Sequence, residues 1–261
     1  MKLIVTGATG YVGTEVIRLA LRNKAITSVV ALARRPVQAP ENAGSDADKS
    51  KLQCVILDNW TEPYPDSVRE HLRGADACIW ALAVTPSKSK DTDFADVTRV
   101  CSDYTINGLH SMAVLANNPF RFVYTSGVTV ERDQSKALWF LAEYRLMRVG
   151  SDDILPVFVN SADEQAQGRI ENTILDFAKQ HEPYVQVTVA KPGGVEGPDR
   201  PRNAAATKLF RQFGHTPWVH VSELAAAMID QCLNGITKDP LWGGDLAEIG
   251  SRALRKEDYL E

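Results

Sequence analysis

The sequence predicts an α/β fold, a doubly wound parallel sheet with a small C-terminal lobe on its substrate side. Two observations predict it. Apolar runs of a few residues alternate with longer stretches of 3.6-residue period. The runs are apolar throughout rather than alternately polar, as strands covered on both faces must be.

Taken in order, the strands are expected at residues 3–6, 28–33, 53–57, 77–83, 121–125 and 185–190. The helices between them follow from local signals. An amphipathic run at 14–23 follows the first strand at once. Asp66 is placed to cap a short helix that stops before Gly74. Val97, Cys101 and Tyr104 share one face of a later helix, and Ile170, Ile174 and Ala178 share one face of the next. Two stretches break the rhythm. Residues 36–51 are small, polar and charged, which predicts a weakly ordered surface loop. Residues 128–167 are longer than a plain strand-to-helix connection and carry an aromatic-rich run, which predicts a lid or pocket wall. Residues 192–250 are expected to form the lobe.

The bulk numbers agree with a single domain of 261 residues. A formal net charge of −4, with Lys and Arg scattered, gives no footprint for nucleic acid. Cys54, Cys78, Cys101 and Cys232 stand singly in apolar stretches, so buried thiols in a reducing compartment are expected rather than disulfides or a metal site. No apolar run reaches the roughly 18–20 residues of a membrane span, and the first strand leaves no room for a targeting segment ahead of it. A cytoplasmic protein without membrane or nucleic-acid partners is the expectation.

The chemistry begins at TGATGYVG, residues 6–13. A strand ends, Gly7, Gly10 and Gly13 follow, and a helix starts, so backbone N–H groups and a helix N-terminus converge on one point suited to a pyrophosphate. Gly7 permits the turn, Gly10 lets the main chain approach the phosphates, and Gly13 lets the helix pack on the strand. The ligand class is therefore a dinucleotide. An acidic residue ending the second strand would favour NAD, but here Arg34 and Arg35 stand there, and their planar forks suit a 2′-phosphate. NADP(H) is the expected cofactor. Asp58 is placed either to meet the adenine edge or to cap the turn at Asn59.

TGATGYVG, Tyr124-Thr125-Ser126-Gly127, the segment 190–195 and the segment 219–225 together resemble the atypical and extended short-chain dehydrogenase/reductases, Rossmann-fold proteins, over nearly the whole chain. Within them the opening 36 residues look most like the fungal averufin-oxidase-type proteins of aromatic polyketide tailoring. The resemblance implies cofactor contacts at Thr6, Gly7, Thr9, Gly10, Tyr11, Val12 and Gly13, at Arg34, Arg35 and Asp58, and at the strand ends Ala81, Leu82, Ala83, Thr125, Lys191 and Pro192. It implies a small aromatic substrate of anthraquinone or xanthone type, and a monomer or homodimer.

Members of that superfamily carry a serine and a Tyr-x-x-x-Lys pair, in which the lysine lowers the tyrosine's pKa. Ser126 matches the serine. For the pair two registers are open: Tyr144 with Arg148, inside the insertion, or Asp163 with Gln167, which better fits the helix leading back to the sixth strand. In the second register both groups are replaced. A proton donor would then come from Asp163 or Glu164 raised by burial, from Tyr144, from His215 or His220, or from Lys191 facing the cleft. Three activities follow: an NADP(H)-dependent reductase of a phenolic ketone or quinone, a non-redox isomerase, cyclase or lyase on the same scaffold, and a nucleotide-sensing protein without catalysis.

Overall fold

The structure, a computed structural model, describes residues 1–83, 96, 99–128, 130, 132, 161–202 and 218–255, with 161–169 described as backbone only. Seven strands form one sheet, all parallel, in the order β3-β2-β1-β4-β5-β6-β9. They are β1 (Lys2–Thr6), β2 (Ser28–Ala33), β3 (Leu52–Ile56), β4 (Ala77–Trp80), β5 (Phe120–Thr125), β6 (Val185–Lys191) and β9 (Leu241–Trp242). A second, two-stranded parallel sheet pairs β7 (Val195–Glu196) with β8 (Val219–His220).

Side chains leave alternate faces of a strand, and each face of the sheet has its own core. Leu3, Val5, Val29, Ala31, Ala77 and Ile79 enter one cluster. It is closed by α1 (Tyr11–Arg22), α5 (Val221–Asn234) and α6 (Gly243–Leu254). Ile4, Val30, Leu32, Cys78 and Trp80 enter the other. It lies under α2 (Asp66–Leu72), α3 (Tyr104–Ala113, entered through a π turn at Arg99–Asp103) and α4 (Ser161–Gln180). Each fully buried Leu or Ile contributes about 1.5–3 kcal/mol, which makes these two layers the main source of stability. Ile170, Ile174 and Ala178 are all buried, as their spacing predicted. Trp60 stacks on Tyr104 at 5.8 Å and meets Trp80 edge-on at 5.9 Å.

Several expectations are corrected. The first helix begins at Tyr11, not at residue 14, so Tyr11, Val12 and Gly13 form its first turn. Asp66 lies inside the first turn of α2, whose N-cap is Pro65, and it makes no side-chain cap. The fourth strand ends at Trp80, leaving Ala81, Leu82 and Ala83 as the loop beyond it. The segment 36–51 is tied down: Ala43 is fully buried, Asp46 pairs with Arg22 at 2.8 Å, and the Asp48 N–H donates to the Leu21 carbonyl at 3.0 Å. Its polar composition reflects bonding to the end of α1. Among the described residues of 192–250, β7 and β8 form the separate two-stranded sheet, α5 packs on α1, and β9 extends the main sheet beside β6.

The packing of α6 on α5 gives a direct test. A Cβ at Gly250 would lie 2.0 Å from the Glu223 carbonyl oxygen, a backbone atom that cannot swing aside. Gly250→Ala is expected to destabilise the fold by about 2 kcal/mol, read from the urea midpoint; an unchanged midpoint would contradict this packing.

Candidate functional site

The glycine turn has the geometry that a dinucleotide needs. Gly7 sits at φ +65°, a left-handed conformation that favours glycine. A Cβ there would meet the Ala81 carbonyl oxygen at 2.2 Å, and one at Gly13 would meet the Gly7 carbonyl oxygen at 2.2 Å. The Gly10 N–H donates to the Gly7 carbonyl at 2.8 Å and closes the turn. Gly10 is also the N-cap of α1, with no side-chain cap, and the first turn holds no acidic residue. The first-turn N–H groups therefore meet no competing carboxylate from their own turn, and the helix dipole adds to their attraction for an anion. Thr6, fully buried at the end of β1, has a hydroxyl with no hydrogen-bond partner among the described residues. These residues fit a bound dinucleotide diphosphate.

At the end of β2, Arg34 and Arg35 are exposed and form no ion pair among the described residues. Asp58 is exposed two residues beyond β3. The neighbouring turn is closed instead by Asn59, whose Oδ1 accepts from the Thr61 N–H at 3.0 Å and the Thr61 hydroxyl at 2.8 Å. Asp58 is left facing solvent.

At the carboxyl ends of β5 and β6 the polar groups converge on Glu171 of α4, which is fully buried. One carboxylate oxygen accepts from the Ser126 hydroxyl at 2.6 Å. The other accepts from Arg132 Nε at 2.6 Å and faces Lys191 Nζ at 2.9 Å. Arg132 continues to Asp239 at 2.7 Å, and Asp239 also takes the Val189 N–H at 2.9 Å. Burial opposes the charge on Arg132, but its hydrogen bonds to Asp239 and Glu171 outweigh it and raise the pKa. A carboxylate can only accept, so the single proton of Ser126 is directed at Glu171. What the serine keeps is lone pairs, which give nothing to a ketone oxygen.

Lys191 was expected to face the cleft. It is 2% exposed, donates to the Val130 carbonyl at 2.6 Å and lies 5.4 Å from the Trp242 ring centre. Its ammonium is held inside the network because Glu171 supplies the compensating charge. His220 ends β8 and is the N-cap of α5: its Nδ1 accepts from the Ser222 N–H at 3.2 Å. The Ser222 hydroxyl hydrogen-bonds Glu15. Thr125 turns toward α5, 3.5 Å from the Met228 sulfur, and Pro192 is buried just past β6. Tyr124 is buried in the core, and desolvation pushes its phenol far above the usual range.

Asp163, Glu164 and Gln167 lie on α4, described there as backbone. Positions 163, 167 and 171 recur every four residues and so follow one stripe of the helix. Tyr144, Arg148 and His215 lie outside the described residues. Sequence reasoning missed Glu171, Arg132 and Asp239. The signal available for Glu171 was its spacing of four from Gln167.

With this geometry in place, comparison with known proteins gives the family. The chain belongs to the NAD(P)H-binding family, whose model matches residues 7–177. It is similar to "Protein FMP52, mitochondrial" of Debaryomyces hansenii, at 20% identity over 266 residues that cover 100% of this chain and 98% of the relative. Among solved structures it resembles a short-chain dehydrogenase/reductase from Serratia marcescens, with TM-score 0.63 and 13% identity over 94% of this chain and 98% of that one. It also resembles Gre2 in complex with NADPH from Candida albicans, with TM-score 0.60 and 17% identity over 93% and 77%. The sheet is of Rossmann type and the cofactor is NAD(P)H. Among the described residues no helix is long and apolar enough to cross a membrane.

Removing one member of a buried ion pair leaves its partner uncompensated. Glu171→Gln is expected to cost about 3 kcal/mol of folding stability, measured by chemical denaturation. A loss below a few tenths would contradict the role given to this carboxylate.

Proposed function

We propose that the protein is an NADP(H)-dependent reductase of an electron-poor aromatic carbonyl, a quinone or phenolic ketone of anthraquinone or xanthone type. The observation that carries this reading is the commitment of the Ser126 hydroxyl to Glu171 at 2.6 Å. It stands beside Asp and Gln at positions 163 and 167, where the superfamily pattern has tyrosine and lysine. An isolated ketone needs a strong acid at its oxygen as hydride arrives, whereas a quinone gives a stabilised hydroquinonate and needs much less. When bound, NADPH supplies the hydride. The chain's part is to hold the diphosphate on the glycine turn, to grip the 2′-phosphate with Arg34 and Arg35, and to orient the ring over the ends of β4 and β5.

The polyketide substrate class and a place in fungal secondary metabolism rest on the resemblance of the opening segment. A cytoplasmic setting belongs to the same proposal, although the relative from Debaryomyces hansenii is named as mitochondrial. A second reading, a non-redox isomerase, cyclase or lyase with a structural nucleotide, draws on the same replacement of tyrosine and lysine. In it Asp163 moves the proton.

Single-turnover absorbance of NADPH against a panel of anthraquinones and xanthone precursors separates the readings. Reduction predicts loss of NADPH in step with product. Product without net cofactor change would favour the non-redox reading, and tight binding with neither event would favour sensing. For the cofactor, Arg34→Ala and Arg35→Ala are each expected to raise the NADPH dissociation constant about tenfold, the low end for a charge-assisted hydrogen bond. NADH binding should barely change; equal effects on both would overturn the 2′-phosphate assignment.

A further inference from the structure

We propose that Arg200 is a cationic clamp on the diphosphate of the bound dinucleotide, delivered to the glycine turn from the β7–β8 lobe. Gly197 and Arg200 exchange both of their backbone hydrogen bonds at 3.0 Å, which closes the tight turn Gly197-Pro198-Asp199-Arg200. That turn sits on the phenol end of Tyr11. A Cβ at Gly197 would come within 2.1 Å of the Tyr11 hydroxyl, so close contact is possible only because residue 197 is glycine. From the other end of the turn the Arg200 guanidinium lies 4.7 Å from the Tyr11 ring centre, in cation–π range. Tyr11 is the first residue of α1. The guanidinium thus hangs beside the first helical turn, the place where the diphosphate charge is held.

The local charges leave this cation available. Arg202, two residues on, takes both oxygens of Glu196 at 2.5 and 2.6 Å. Arg200 is exposed and forms no ion pair among the described residues; Asp199 adjoins it without bonding to it. One further polar group points to a ligand here: the hydroxyl of Thr6 is shielded from solvent and has no partner among the described residues. A helix N-terminus offers about half a unit charge to a diphosphate carrying two. An arginine adds a full charge and a planar fork that can take two phosphate oxygens, and the tyrosine ring holds that fork in one plane. The consequence is mechanical as well as electrostatic: cofactor binding would fasten the β7–β8 lobe onto the nucleotide domain. The inference depends on the cofactor and not on which reaction follows.

Calorimetric titration with two probes tests it: ADP-ribose, which has the diphosphate but neither the 2′-phosphate nor the nicotinamide, and adenosine 2′-monophosphate, which has no diphosphate. Arg200→Ala is expected to weaken ADP-ribose about tenfold and leave the monophosphate unchanged, with Arg200→Lys recovering part of the loss. Tyr11→Leu, which removes the platform, should weaken ADP-ribose severalfold, and Tyr11→Phe, which keeps the ring, should weaken it less. Unchanged ADP-ribose affinity in Arg200→Ala would overturn the proposal. So would equal weakening of both probes, which would mark a general disturbance of the turn. Thermal melting of each variant checks that the exposed arginine is not needed for folding.

Discussion

A single buried carboxylate organises the carboxyl end of the sheet around β5 and β6. Glu171 is out of contact with water, and a charge there is tolerable only if its hydrogen-bonding capacity is met on every side. The structure meets it with Ser126 after β5, Lys191 at the end of β6 and Arg132 from the segment between β5 and α4. Arg132 carries the network on to Asp239, just before β9. Four segments distant in sequence are thereby fixed in one register, and the stripe of α4 that holds positions 163 and 167 is fixed with them.

This arrangement divides the labour of the site. The glycine turn offers a dinucleotide mostly main chain: an uncapped helix start, a left-handed Gly7, and a close approach of Gly13 to Gly7 that leaves no room for a side chain. Among the described residues, three of the candidate side chains are engaged within the protein. Lys191 is a buried counter-charge, His220 caps a helix, and Ser126 is a donor to Glu171. The electron-poor acceptor proposed above rests on this engagement of Ser126 and Lys191. The small lobe then matters more than its size suggests, because it brings Gly197 and Arg200 against the residue that starts the cofactor helix.

Much of this was legible in the sequence where the cause is local. The six predicted strands appear within a few residues of their expected bounds, because a run such as Leu3-Ile4-Val5 can be buried on both faces only in the middle of such a sheet. The glycine turn was readable for the same reason. The start of α1 was misplaced by three residues because a helix can begin on Tyr11-Val12-Gly13 once an anion site replaces the cap. Residues 36–51 looked weakly ordered because composition cannot show that Asp46 meets Arg22 or that Asp48 meets Leu21. Nothing local marks Glu171 or turns Lys191 inward, for one cause: each is explained only by the other, twenty residues apart, and by Arg132. Pairings between distant charges leave no periodic trace.

The Ser126 hydroxyl donates to Glu171, and its commitment there carries the proposed function. The most direct test is Ser126→Ala, followed both by urea denaturation and by turnover of the best quinone with NADPH. The account predicts a stability loss of about 1–2 kcal/mol, that of a buried carboxylate deprived of one donor, with turnover and NADPH affinity within a few-fold of the parent. A collapse of turnover by two orders of magnitude at unchanged stability would contradict it and return the serine to the reacting oxygen.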